Sequence, residues 1–281
     1  MWKQLELFVG NCNVIDASVS TYHYKCITET LLSESPNPII FFKYNYYDHL
    51  SFFRTGYSSD AKNTFLKTAL FYKDKPANCS INAADTDTAS GYQQRKNHVT
   101  KSQTCPFVTS LHIDWLNSSR WIPPGINLRL KFIRNEDDFV CVANANNGTY
   151  KIKILELFVE FRKISVDVPI MKKELDLLDK GQPYIMPFLQ GKHYVHTVPE
   201  GRLNYMLDDL CTGRLPKQLI VSFVAHDSYN GSLKKNGFVF ENLKINSLVF
   251  KVNGENSPPM EYKPKFDAKP VDCLRGIFIS F

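Results

Sequence analysis

The chain has 281 residues, 43% of them hydrophobic and 13% aromatic, which is enough for a sizeable core in one large domain or two smaller ones. Its 34 Lys and Arg exceed its 28 Asp and Glu to give a net charge of +6, spread along the chain and not concentrated as in a dedicated nucleic-acid binder. No run approaches the roughly 18 apolar residues of a membrane span, and Met1 to Val9 has no apolar core of a signal peptide.

In chain order, Trp2 to Val19 reads as one or two strands broken at Gly10-Asn11. Thr21 to Leu32 carries Tyr24, Ile27, Leu31 and Leu32 at helical spacing, and Pro36 and Pro38 follow it. Ile39 to Phe53 is crowded with aromatic residues, among them Phe41, Phe42, Tyr44, Tyr46, Tyr47, Phe52 and Phe53, and reads as a strand pair, an exposed adhesive loop or an insertion. Ser59 to Tyr72 is a second helix, capped by Ser59 or Asp60. The polar stretch Lys75 to Gln103 reads as a long surface loop.

Phe107 to Trp115 then resumes strand character, and Ile126 to Arg134 alternates as a half-buried antiparallel strand should. Phe139 to Ala143 is a short strand and Tyr150 to Val168 the longest one. The hydrophobic phase of that long strand flips at Ile154-Leu155, which predicts a bulge there or burial on both faces. Met171 to Lys180 is a short amphipathic helix ended by Gly181, and the span from Pro169 to Pro183 is the best domain boundary. Strands are predicted again at Tyr184 to Leu189, Lys192 to Val198, Gln218 to Ala225 and Leu243 to Val252, with a polar loop at His226 to Asn236. Four Asn-Gly pairs, at Asn147, Asn230, Asn236 and Asn253, supply turns between antiparallel strands. Strands outnumber helices, so the chain reads as all-β with helical insertions, a sandwich or jelly roll.

Chemical motifs are sparse. The seven Cys are odd in number and widely spaced without a CxxC pair, which points to buried thiols in a reducing compartment and away from a disulfide framework or zinc site. His112 and Asp114 share one face of a predicted strand, yet a metal site needs further ligands that no nearby spacing supplies. His193 and His196, three apart, face opposite ways in a strand. Glu136-Asp137-Asp138 reads as a solvated acidic turn, and the pairs Lys172-Lys173 and Lys234-Lys235 as solvated surface. The four glycosylation sequons, at Asn78, Asn117, Asn147 and Asn230, read more simply as turn chemistry. No nucleophile elbow, Cys-protease signature or phosphate-cradling glycine loop is present. The expectation is therefore no catalytic residue, no cofactor, no metal and no specific nucleic-acid site.

Several blocks resemble the capsid proteins of Polinton (Maverick) elements, the large virus-like DNA transposons of animals. They are Thr21-Tyr22-His23-Tyr24 running into Glu29-Thr30-Leu31-Leu32, Leu70-Phe71-Tyr72-Lys73-Asp74, Gly125-Ile126-Asn127-Leu128-Arg129-Leu130, and Gly148-Thr149-Tyr150-Lys151-Ile152-Lys153-Ile154-Leu155 leading to Arg162-Lys163. Further on come Gly213-Arg214-Leu215-Pro216-Lys217-Gln218-Leu219-Ile220-Val221, then Asp227-Ser228-Tyr229-Asn230-Gly231-Ser232 followed by Lys235-Asn236 and Phe238. Each block alone is weak, but their ordered set is specific and runs from about Trp2 to Asp267.

The resemblance implies an all-β double jelly-roll. Residues 1–168 would form the first jelly roll, 169–183 a linker with a short helix, and 184–281 a partial second one. It implies homotrimers tiling an icosahedral shell, with a minor capsid protein as a further partner, and no enzyme activity. The expected location is the virion if the chain assembles, and otherwise the cytoplasm or nucleus, without secretion. The opening strands of the first jelly roll and the closing strands of the second are expected to be missing, and Pro36 to Thr55 to be an insertion. The alternative reading is a β-sandwich recruited by a host to bind protein or glycan through the aromatic residues of Phe41 to Phe53.

Overall fold

The computed structural model describes residues 1–15, 21–32, 91–109, 111–143, 150–208, 210, 216–238, 240–241, 243–257, 259, 261–264 and 278–280. Within them lie helices α1 (Tyr22–Leu32), α2 (Gly91–Val99), α3 (Asp137–Val140), α4 (Val168–Asp179) and α5 (His226–Asn230). The strands are β1 (Trp2–Val9), β2 (Cys12–Asn13), β3 (Leu128–Arg134), β4 (Gln218–Ile220), β5 (Lys251–Val252), β6 (Glu255–Asn256) and β7 (Phe278–Ser280). The chain divides into two units. One comprises Met1–Phe53, Phe107–Asn135 and Tyr150–His193; the other comprises Arg54–Pro106, Glu136–Thr149 and Tyr194–Phe281.

The first unit is organised by an antiparallel sheet of order β2-β1-β3. The chain reverses at Gly10-Asn11, as the sequence predicts, with Gly10 at a φ of 60°. Across β1 and β3 the register pairs Leu5 with Phe132, Leu7 with Leu130 and Val9 with Leu128. Alternation along each strand puts these six residues on one face. Leu5 and Leu7 are fully buried there and form the core with Ile113 and Trp115, bordered by Val9, Leu128, Leu130, Phe132 and Met186. Each such leucine contributes about 1.5–3 kcal/mol by leaving water. The same register puts Lys131 opposite Glu6, with Nζ 3.2 Å from Oε2, and Arg129 over the Phe8 ring at 4.3 Å from its centroid. Beside the sheet, Leu7, Leu116, Leu128, Leu130, Val159 and Phe161 line an open apolar cleft of about 240 Å³.

Helix α1 lies against β1, with Tyr24 and Ile27 buried. Helix α4 starts earlier than its periodicity suggests, because Pro169 sits in its first turn. Proline's missing N–H costs nothing there, since that donor has no partner within the helix. The helix ends where the amides of Gly181 and Gln182 return to the carbonyls of Leu178 and Leu177, at 2.8 and 3.1 Å.

The second unit contains two short ladders, β4 with β7 and β5 with β6. In the β5–β6 hairpin Asn253 and Gly254 take φ of 53° and 88°. This is the turn that an Asn-Gly pair favours between twisted strands. Helices α3 and α5 meet in the same unit. The Phe139 ring is buried there, 5.5 Å from the Phe238 ring in an edge-on contact, and the Ala143 amide donates to the Leu233 carbonyl at 2.8 Å.

Several predicted elements take another form. Residues 107–109 and 111–113 lie outside the described helices and ladders, and the chain then tightens into a 3₁₀ turn over Asp114–Asn117. Phe139 to Ala143 does not form a strand: the Glu136 carbonyl accepts from the Phe139 and Val140 amides, and acids in the first turn suit the helix dipole of α3. Tyr150 to Asp167 and Tyr184 to Val198 lie outside the described helices and ladders. For the former, the phase flip at Ile154-Leu155 leaves no single register that buries all its apolar side chains. Part of the polar stretch Lys75 to Gln103 is helical, as α2, and the loop after Ala225 opens with α5. Of Gln218 to Ala225 only β4 is in a ladder, and of Leu243 to Val252 only β5, with Leu248 bridging Tyr262. The helix expected at Ser59 to Tyr72, the segment Pro36 to Thr55 and the Asn147-Gly148 turn lie outside the described residues.

Candidate functional site

A cluster of charged and polar side chains gathers where α1 faces the segment around Asp114. On a helix, residues three and four apart share a face, so Tyr22, Cys26 and Glu29 line up and Lys25 stands beside them. Lys25 Nζ is 2.6 Å from Asp114 Oδ1 and 3.5 Å from Glu29 Oε1, and the Lys25 and Asp114 side chains are only 11% and 15% exposed. His112 Nδ1 is 2.8 Å from Glu29 Oε2, and the His112 amide donates to the Tyr22 hydroxyl at 3.1 Å. The second oxygen of Asp114 accepts from the Gly191 amide at 2.9 Å. One carboxylate thus ties α1 to the 3₁₀ turn and to the segment ending at His193.

Burial sets the electrostatics of this hub. It raises the Glu29 carboxyl, but the His112 hydrogen bond and the Lys25 charge outweigh it and hold the group below the usual carboxylate value. Burial, then the Lys25 charge, keeps His193 below an ordinary histidine. Burial also pushes the Cys26 thiol up to about 11 and the Tyr22 hydroxyl well above its usual value. One turn earlier on α1, His23 is buried against β1. Burial, the Met1 amino group and Lys3 lower it to about 4, against a hydrogen bond to the Lys3 backbone.

His112 and Asp114 are therefore brought together, as part of a hub that also holds Lys25, Glu29 and His193. Sequence reasoning missed Lys25 and Glu29, and weighed His193 only against His196. The Lys25–Glu29 spacing was a visible signal, but Asp114 lies 89 residues from Lys25, so nothing local announced the pairing. The Lys25 ammonium occupies the position between the two carboxylates that a cation would be drawn to. Among the described residues no group of three or more His, Cys, Asp or Glu is arranged to hold a metal ion. What the hub can do is hold α1 in place with a bond set that depends on charge.

The other candidates are dispersed. His196 lies in the other unit from His193. Glu136, Asp137 and Asp138 open α3, Lys172 and Lys173 are exposed on α4, and Lys235 pairs with Asp227 at the surface. The aromatic residues Phe41 to Phe53 lie outside the described residues. No described helix is long and apolar enough to cross a membrane.

No family model matches the chain, and no solved structure matches it. It is similar to an uncharacterized protein of Caenorhabditis elegans, F54H12.2, at 19% identity over 210 residues, which covers 72% of this chain. The match spans 49% of that protein, so the chain corresponds to about half of its length.

Proposed function

We propose that this chain is a structural, non-enzymatic shell subunit. It would be a double jelly-roll capsid protein of a Polinton (Maverick) element, or of a host-genome copy of one, that assembles as homotrimers into an icosahedral shell and resides in the virion. The observation that carries this reading is the ordered set of blocks from Thr21-Tyr22-His23-Tyr24 to Phe238. The surface of the first unit agrees with it. Leu155, Leu157, Phe158 and Phe161 are 54–73% exposed on the segment after Tyr150. Ile170, Met171, Leu175 and Leu178 add an exposed apolar side of α4. Exposed apolar side chains in this number are what subunits bury against one another.

The test is the mass of the purified full chain by size exclusion with light scattering, followed by negative-stain imaging. The reading expects three times the monomer mass, and trimers are expected to disappear in Leu157→Lys/Phe161→Lys while the circular dichroism of the chain is retained. A monomer at tens of micromolar, with no larger particle on the grid, overturns it.

A further inference from the structure

We propose that Asn253 is a site of self-modification, where the Gly254 backbone nitrogen attacks the Asn253 side-chain amide, while packing shields the Asn-Gly pairs at Asn230 and Asn236. The step balances with water as its one co-reactant. A bond forms from Gly254 N to Asn253 Cγ, the Cγ–Nδ2 bond breaks, and the proton of the Gly254 amide leaves with Nδ2 as ammonia. Water then opens the resulting succinimide at either carbonyl, giving isoaspartate or aspartate, and no electron is transferred. The attack needs a following residue without a Cβ, a nitrogen that the side chain can reach, and a peptide able to turn toward Cγ. Every Asn-Gly pair meets the first condition, so the fold decides the other two.

Asn253 and Gly254 are both exposed, and a Cβ added at Gly254 would meet nothing within 4 Å. The register pairs Lys251 with Asn256 and Val252 with Glu255, so the ladder leaves the Gly254 nitrogen outside its hydrogen bonds. Beyond those two residue pairs, the Ser257 amide donates to the Phe250 carbonyl at 2.9 Å. So short a hairpin opens at little cost. Asn253 itself rests at a φ of 53°, a conformation that costs a residue with a side chain about 1–2 kcal/mol, so turning out of it relieves strain.

The other two described pairs are held. Asn236 is half-buried and its Oδ1 accepts from the Phe238 amide at 3.0 Å. Gly237 is buried, and a Cβ there would stand 2.5 Å from Phe139 Cε2, so its peptide cannot turn without moving that ring. Asn230 is the last residue of α5, with its Nδ2 3.0 Å from His226 Nε2, which points the side chain back along the helix. Gly231 lies against α3, where an added Cβ would stand 3.0 Å from the Phe139 nitrogen. Asn147-Gly148 lies outside the described residues and is assigned no rate. Either product puts a carboxylate in place of a neutral amide. Isoaspartate also carries the backbone through Cβ, adding an atom to a two-residue turn whose fixed geometry sets the β5–β6 register. This inference does not rest on the shell reading.

The experiment incubates the intact chain at pH 7.4 and 37 °C, folded and in guanidinium chloride, and follows each Asn-Gly pair by peptide mapping with mass spectrometry. Digestion in heavy-oxygen water marks any conversion made during the digest. In the folded chain Asn253 is expected to convert at least roughly tenfold faster than Asn230 and Asn236. In guanidinium the three rates are expected to come within about threefold of one another, since no fold then separates them. The Asn253 product is expected as two chromatographic peaks of equal mass, isoaspartate and aspartate. Equal rates in the folded chain, or a slower Asn253, overturn the proposal. A tenfold difference that persists in guanidinium also overturns it, because sequence and not packing then sets the rates. Aspartate as the sole product overturns the succinimide step.

Discussion

Lys25 Nζ meets Asp114 Oδ1 at 2.6 Å across 89 residues of chain, with both side chains largely shielded from water. A pair this shielded gains from a low local dielectric but has lost hydration on both sides. Removing one partner leaves a buried charge alone. Lys25→Met is therefore expected to cost about 3 kcal/mol of unfolding free energy. Asp114→Asn is expected to cost less, because its amide oxygen can still accept from Gly191. The double variant Lys25→Met/Asp114→Leu should recover part of the loss, since no uncompensated charge remains between those two positions. Urea unfolding of the four proteins at pH 7 measures the coupling, and strict additivity of the two single losses would show the pair to be inert.

The acid arm of the stability curve follows from His23 and Glu29. His23 has its value lowered to about 4 from 6.5, so its contribution is fully present above pH 6.5 and is lost as pH falls toward 4. Glu29 contributes above 4.5 and loses its share in more acid solution. The urea midpoint is expected to fall steadily from pH 7 to pH 4.5, with His23 accounting for on the order of 2 kcal/mol. His23→Leu should flatten this decline. Glu29→Gln should be weaker than the parent from pH 7 down to pH 4.5 and converge with it only in more acid solution. A parent midpoint that does not move between pH 7 and pH 4.5 would contradict the His23 assignment.

How much of this was legible beforehand depended on how local the signal was. The β1 turn at Gly10-Asn11, the alternation of β3 and the span of α1 follow from spacing within a few residues, and they hold to within one or two residues. Phe139-Val140-Cys141-Val142 has strand composition, yet the acids just before it favour a helical turn, and that local electrostatic preference decided the outcome. The run from Tyr150 to Asp167 has ample β-propensity but no single hydrophobic phase, so composition alone could not say what it pairs with. Of the hub, His112 and Asp114 stood out because they are neighbours. Lys25 and Glu29 did not, and His193 was weighed only against His196, because tertiary structure alone brings the three there.

Cysteine reactivity separates two thiols of the first unit. Cys12 is exposed at the β2 turn, whereas Cys26 is shielded on α1 and its thiol is pushed up to about 11 by burial. Since the thiolate is the reacting species, iodoacetamide at pH 8 should label Cys12 within minutes and leave Cys26 unmodified in the folded chain. Peptide mapping reads both sites directly. Equal labelling of the two residues in the folded protein at pH 8 would contradict the burial of α1.

Two Asn-Gly pairs of the second unit need glycine for different reasons, and substitution should tell them apart. At Gly254 the backbone sits at a φ of 88° with open space around the Cα, so only the conformation resists a side chain. Gly254→Ala is expected to cost about 1–2 kcal/mol, the ordinary strain of the left-handed region. Gly237 is not at a positive φ, but a Cβ there would stand 2.5 Å from Phe139 Cε2 and 3.0 Å from the Ser228 carbonyl oxygen. Gly237→Ala must displace the buried Phe139 ring, at a cost of about 1–3 kcal/mol by overpacking. Shrinking that ring should relieve the second defect and leave the first unchanged. Phe139→Leu in the Gly237→Ala background is thus expected to be milder than the sum of its parts, and in the Gly254→Ala background to be additive. Thermal unfolding of the two double-mutant sets measures this, and the same coupling in both would show that Gly237 is not held by its contact with Phe139.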